Sequence, residues 1–242
     1  VTHLVISRRF HGPPRSGNGG WTAGALADAL PAVADDHPVT VRLKLPPPLE
    51  VPLSLQPGAG AAPHLVLADE GRTVAEAVLS ERELVPVPPV GVLEAADAEE
   101  RYAGLRAHPF PTCFVCGPQR RPGDGLRIFP GPLSPGAARS RENRTVAATW
   151  TPYESTLPIA WAAMDCPGGW STDLLDRPAV LGTMTAVVHR LPSTRERYVV
   201  VGEQRDIDGR KLHTAATLYG PGDEVVATAE HVWITIDPQE FR

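Results

Sequence analysis

Apolar and polar positions alternate in short runs along most of the chain, and twice the alternation gives way to a continuous stretch of small apolar residues. "HLVISRRF" (3–10) alternates as a strand does. After the loop "GPPRSGN" comes "GGWTAGALADALPAVA", from Gly19 to about Ala34. It is rich in Ala and Leu, has Asn18 or Ser16 at its head as an N-cap, and predicts a buried helix. Two strands follow at 39–45 and 49–56, then a hairpin over 64–81 that turns at "DEGR". "PVPPVG" (86–91) reads as a linker and 93–108 as a short surface helix. A knuckle, "PFPTCFVCGPQRRPGDGLRIFPG", leads into a strand at 125–129, and 132–143 reads as a loop with little to bury. The second half starts with a strand at 144–152. A helix follows at 157–165, with Pro158 in its first turn and "CPGGW" as the turn after it. Strands at 178–191, 197–208, 211–220 and 224–237 complete the chain, with "DG" and "GPGD" as turns.

Both halves therefore run strand, helix, four strands, and their last strands echo each other in "TVAEAVLS" and "VVATAEHV". This repetition predicts an α+β architecture. One long helix wrapped by an antiparallel sheet, twice over, fits two hotdog units in tandem (a double hotdog); the alternative is two unrelated α+β domains. The expected boundaries are 1–85 for the N-terminal unit, 86–124 for the linker helix and knuckle, and 125–242 for the C-terminal unit. A second echo, "GGWT" at 19–22 and "GGWS" at 168–171, is out of register. Gly19 precedes its next strand by about as many residues as Pro158 precedes Ala179, so Gly19 corresponds to Pro158 and not to Gly168.

Composition narrows the function classes. The chain has 242 residues, 42% hydrophobic and 21% charged, with a net charge of −5, an ordinary globular balance. No basic stripe is present, so nucleic acid is not an expected partner. No apolar run is long enough to span a membrane, and the opening residues carry no signal-peptide h-region. Three cysteines make no disulfide framework and point to the cytoplasm. The 27 prolines fall in connections, as in a β-rich protein with rigid loops.

"CFVCG" (113–117), "GLRIF" (125–129), "VAATWTP" (146–152) and Met164-Asp165 appear in that order. Over about 110–190 the chain resembles hotdog acyl-CoA thioesterases of the phenylacetate-pathway type, in which a knuckle, two strands and a helix-borne acid follow one another. Asn18-Gly19-Gly20 and "VRLKLPPP" resemble the N-terminal hotdog of acyl-CoA thioesterase II-like proteins. There is one departure. The family's His-Gly-Gly position should lie nine residues before the acid, which here is Thr156-Leu157-Pro158, so the glycines are absent from the second half. In the first half Ala27 stands where an acid should, and Asp28 is one residue late, about 100° round the helix.

The resemblance implies hydrolysis of an acyl-CoA or acyl-carrier thioester. Gly19 and Gly20 would supply oxyanion donors from a helix N-terminus, with Asn18 orienting the carbonyl. The alternative is that this Gly-Gly merely ends a loop beside a crowded sheet. Asp165 would act as general base or nucleophile; its alternative is a helix-end cap. In the family's dimers one unit's helix start works with the other unit's acid, so one chain would form a pseudo-dimer with one complete site and one lacking both parts. A homodimer of such chains stays open. Glu230 and Thr183, and with them Thr185 and Asp28, are further polar candidates, each also readable as an ordinary surface or strand residue. Cys113 and Cys116 raise a zinc reading that only Cys166 and scattered histidines such as His108 could complete; a second CxxC is missing, and neither a metal nor a cofactor is expected. Cys166, beside Asp165, could also be a nucleophile, but no His partner is evident near it in the sequence. The other readings are a non-catalytic acyl-binding protein and a hydratase or dehydratase, which would need an Asp/His pair.

Overall fold

A computed structural model describes residues 2–30, 37–60, 62–134, 144–237 and 239. The first half runs β1 (His3–Val5), α1 (Gly19–Asp28), β2 (Val39–Leu43), β3 (Pro52–Pro57), β4 (His64–Asp69) and β5 (Arg72–Leu79). A connecting α2 (Val92–Glu99) and a short β6 (Gly131–Pro132) follow. The second half runs β7 (Thr145–Trp150), α3 (Leu157–Trp170), β8 (Ala179–Val188), β9 (Tyr198–Asp208), β10 (Lys211–Tyr219) and β11 (Val225–Thr235).

These strands join in one antiparallel sheet of order β1-β3-β4-β5-β2-β8-β11-β10-β9-β7-β6. The halves meet at β2 and β8, where Val39 lies opposite Ala186 and Arg42 opposite Thr183. Outward from that seam the order is β5, β4, β3, β1 on one side and β11, β10, β9, β7 on the other. The same succession is thus laid down twice in mirrored order, with β6 added at one edge.

Both helices are covered by the sheet and lie against each other. In α1 every residue from Gly20 to Ala27 is buried, and in α3 every residue from Pro158 to Trp170. A helix apolar all round must be enclosed, and small residues let the enclosure close. A Cβ on Gly24 would sit 2.7 Å from Pro158 Cα and from Trp161 Cβ. With Gly20 against Asp165 and Gly24 against Trp161, the two helices run antiparallel.

Several boundaries depart from the sequence expectation. The strand expected over 3–10 stops at Val5, and Arg8–Phe10 form a 3-10 turn instead. Helix α1 ends at Asp28; of its expected extension to Ala34, residues 31–36 lie outside the described residues, as do 135–143 of the expected loop. Residues 125–129 form no strand: Gly125 makes an isolated bridge to Pro122, and Arg127 adopts φ 55°. The helix expected at 93–108 stops at Glu99, with a 3-10 turn at Ala103–Leu105. The "CPGGW" turn is also absent, because α3 continues through Pro167 to Trp170. An interior proline costs about 3 kcal/mol in an exposed helix, but here continuation buries the large Trp170 side chain, whose apolar area offsets a cost of that order. Gly168 and Gly169 are therefore packing residues inside a helix: a Cβ on them would meet His231 at 2.6 Å and Trp233 at 2.9 Å. The hairpin at "DEGR" is present, with Glu70 and Gly71 at φ 48° and 81°, as a tight two-residue turn needs.

Candidate active site

An N-terminal helical turn leaves four backbone N–H groups without helical acceptors. At α1 these belong to Asn18, Gly19, Gly20 and Trp21. Asn18 N–H donates to the Phe10 carbonyl at 2.8 Å. Trp21 N–H donates to Asn18 Oδ1 at 2.8 Å, the side-chain cap. Gly20 N–H donates across to Asp165 Oδ2 at 3.0 Å. Of these four, Gly19 N–H alone has no partner among the described residues, and Gly19 lines the cavity next to the helix start.

Asp165 enters from mid-α3, 1% exposed. Its Oδ2 accepts from Gly20 N–H and from Asn18 Nδ2, the latter at 2.9 Å. Its Oδ1 is buried and has no hydrogen-bond partner. Burial is the largest influence on this carboxyl and pushes its pKa up to about 7; Gly20 N–H lowers it, the nearby Cys113 raises it, and Asn18 lowers it. Glycine is required opposite, because a Cβ on Gly20 would lie 2.4 Å from Asp165 Cβ.

The cavity, about 330 Å³, is largely apolar and is lined by Gly19, Asp165, Cys113, Cys116, Cys166 and Trp170 among others. The knuckle forms one wall. Gly117 N–H donates to the Cys113 carbonyl at 2.9 Å, and Phe114 N–H to the His11 carbonyl at 2.8 Å. Phe10 stacks on Trp21 with ring centroids 4.1 Å apart and meets Phe114 edge-on at 5.0 Å. This aromatic layer fixes the knuckle against the start of α1. Arg120 is committed to the same job: it is buried and donates to the carbonyls of Thr112 and Arg9, so its guanidinium is not free for a phosphate.

The structure thus brings Asn18, Gly19, Gly20 and Asp165 together. Gly20 N–H and the Asn18 amide, expected to face a thioester carbonyl, hold the carboxylate instead, and Gly19 N–H stays open. Glu230 and Thr183 are not brought to Asp165. On β11 and β8 they alternate with the inward-facing His231 and Met184, so they lie on the outer face of the sheet. There Glu230 pairs with Arg82 at 2.6 Å, and Thr185 Oγ1 lies 2.8 Å from Thr40 Oγ1. Asp28 is exposed at the other end of α1. Cys166 and His108, which the sequence offered only as residues that could complete a zinc site, both line the cavity.

No family model matches the chain, and neither does any curated protein. Solved structures do. A candidate thioesterase II from Thermobifida fusca YX is similar at TM-score 0.64 and 14% identity, over 97% of this chain and 92% of that one. A hot dog fold protein of unknown function from Alicyclobacillus acidocaldarius is similar at 0.60 and 11%, over 98% and 93%. An acyl-CoA thioesterase II, TesB2, from Mycobacterium marinum is similar at 0.58 and 12%, over 99% and 94%. The chain has the hotdog fold.

Proposed function

We propose that this hotdog-fold chain is a thioesterase that hydrolyses an acyl-CoA or acyl-carrier thioester with water, using Asp165 as the base. One observation carries this reading: Asp165 presents one oxygen held by two donors and one buried oxygen with no partner, in a cavity that the free N–H of Gly19 also lines. A buried unpartnered carboxylate oxygen costs stability, and such groups collect where a ligand completes them.

In the mechanism that follows, the acyl chain occupies the apolar cavity and the thioester oxygen faces Gly19 N–H. A water held by Asp165 Oδ1 attacks the carbonyl carbon and gives its proton to that oxygen. The oxyanion that forms is met by the N–H and the helix dipole, a contribution of about 3–4 kcal/mol for one well-placed donor. Collapse breaks the C–S bond, and the leaving thiolate takes the proton from Asp165. Gly20 and Asn18 hold the carboxylate in place throughout. The two structural neighbours named for thioesterases support the reaction class.

We further read the chain as two hotdog units in tandem, 1–85 and 125–242, joined by 86–124, a pseudo-dimer with one working site. The mirrored strand order and the antiparallel helix pair support this. The free thiols of the three cysteines support a cytoplasmic setting.

Asp165→Asn tests the reaction. It preserves shape and the hydrogen bonds to Oδ2, and thiol release from acyl-CoAs of varied chain length should fall by about 10²–10⁴-fold with Tm little changed. Full activity in this variant rejects the mechanism. If the wild type turns over no thioester but retains an acyl ligand through purification, the chain is a binding protein instead.

A further inference from the structure

Cys113, Cys116 and Cys166 come from two separate segments, the knuckle and α3, yet their sulfurs all lie within 4.8 Å of one another. All three are free and buried. The Cys113 and Cys166 sulfurs are 3.8 Å apart. That is far longer than the roughly 2.05 Å of a disulfide. It is close to the edge, about 3.8 Å, of a tetrahedron built on zinc–sulfur bonds of about 2.3 Å.

Polar N–H groups converge on the same sulfurs. Trp170 Nε1–H points at Cys116 Sγ, 3.4 Å away. His108 Nδ1 accepts from Phe110 N–H at 2.9 Å, so the neutral ring carries its proton on Nε2, which lies 3.4 Å from Cys116 Sγ. The Asn18 amide reaches Cys113 Sγ at 4.0 Å. A thiol sulfur is a weak acceptor, and a buried cysteine packed as a small apolar residue needs no such donors. Donors arranged around thiolates are what the outer shell of a metal site supplies.

We propose that Cys113, Cys116 and Cys166 are the ligands of a zinc ion whose fourth ligand, a water, comes from the cavity that the three sulfurs line. His108 is not a ligand, because its Nε2 carries the proton; it and Trp170 steady the Cys116 thiolate. The ion would tie the knuckle to α3 beside Asp165. This departs from the expectation of no metal: the third ligand sits 50 positions beyond Cys116, and no sequence spacing announces it.

The full chain, reduced and loaded with zinc, is dialysed and its metal measured. About one zinc per chain should remain, and a mercurial should release it. Cobalt in its place should give the thiolate-to-cobalt charge-transfer band. Cys113→Ser and Cys166→Ser should each reduce the retained metal at least tenfold, whereas Asp165→Asn should keep it. Because the serine variants disturb a buried cluster, wild-type stoichiometry decides. A reduced, folded wild type that retains less than about a tenth of an equivalent overturns the proposal, as does cobalt loading without the thiolate band. Loss of zinc from Asp165→Asn overturns the assignment of water as fourth ligand. Hydrolysis need not be measured, so the proposal stands or falls separately from the thioesterase reading.

Discussion

The two ends of the α1–α3 pair are built by one packing rule and hold opposite contents. At one end Gly20 meets Asp165, and a buried carboxylate faces a helix start with an open N–H. At the other end Gly24 meets Pro158 and Trp161. No acid stands between Gly24 and Ala27, and proline has no N–H to give. Thr156 caps α3 with its own hydroxyl, which accepts from Ile159 N–H. Close packing therefore does not require the polar contact. The apolar end shows that the pair closes without it, and the asymmetry supports the proposal that Asp165 is there for chemistry.

The largest way to break this contrast is at Gly20. Alanine there forces its Cβ onto Asp165, since the two Cβ atoms would be 2.4 Å apart. The carboxylate must move by the better part of an ångström, and displacement on that scale costs about 10²-fold in rate. Thioester hydrolysis by Gly20→Ala should fall that far at saturating substrate, while Pro158→Ala at the apolar end should stay within about twofold, since no reacting group is held there. Equal losses in the two variants would mean that the ends differ only in packing.

The second contrast is between the strands beside the seam. β11 carries His231 inward, 3% exposed, with Thr214 as hydrogen-bond partner, whereas the buried positions of β5 are Val74, Ala75 and Ala77. Burial lowers the His231 pKa to about 3, against a small upward pull from Thr214. The folded chain holds this ring neutral, and the unfolded chain protonates it near pH 6.5. Stability is therefore complete above that pH and is lost as the pH falls from 6.5 toward 3. The slope is about 1.4 kcal/mol per pH unit, so denaturant midpoints should show a loss of about 2 kcal/mol between pH 6.5 and 5. His231→Gln should flatten that limb. An unchanged slope would put the acid sensitivity elsewhere.

A smaller effect is expected where the helices touch without chemistry. Gly24→Ala inserts a methyl 2.7 Å from Pro158 and Trp161, and overpacking of this kind costs about 1–3 kcal/mol. Urea titration should show the loss, with the rate per folded molecule less affected than in Gly20→Ala.

What was legible in the sequence follows from range. Strand, helix and strands are announced by alternation and small apolar runs, which are local, and so are the turns at "DEGR" and "DG". The pairing of Gly20 with Asp165 was reached through motif register, a longer-range clue, and the structure places the two in contact, with Asn18 beside them. Three features were hidden. Helix α3 runs through Pro167 because the enclosing sheet outweighs a local breaker. The Gly20 N–H is spent on the carboxylate because the two helices touch there. Cys166 joins Cys113 and Cys116 because the knuckle folds against α3. Each depends on contacts between distant segments, to which periodicity is blind.

The two faces of the central strands differ in the same way, and substitutions on the outer one should have the smallest effect. Glu230 and Thr183 have residue types suited to catalysis, yet they lie on the face away from α1 and α3, where Glu230 meets Arg82. Its partner is an exposed arginine, with 65% of the side chain accessible, and pairs of that kind contribute about 0–1 kcal/mol. Glu230→Gln and Thr183→Val should therefore each leave kcat and KM for thioester within about twofold, and Glu230→Gln should cost at most about 1 kcal/mol in urea. The inward face is where a single atom matters, because a charge there has no water to replace a lost partner. On the outward face solvent makes good the loss. A tenfold fall in kcat for either variant would show that substrate reaches the outer face, and the site would then have to be rebuilt around β8 and β11 in place of the start of α1.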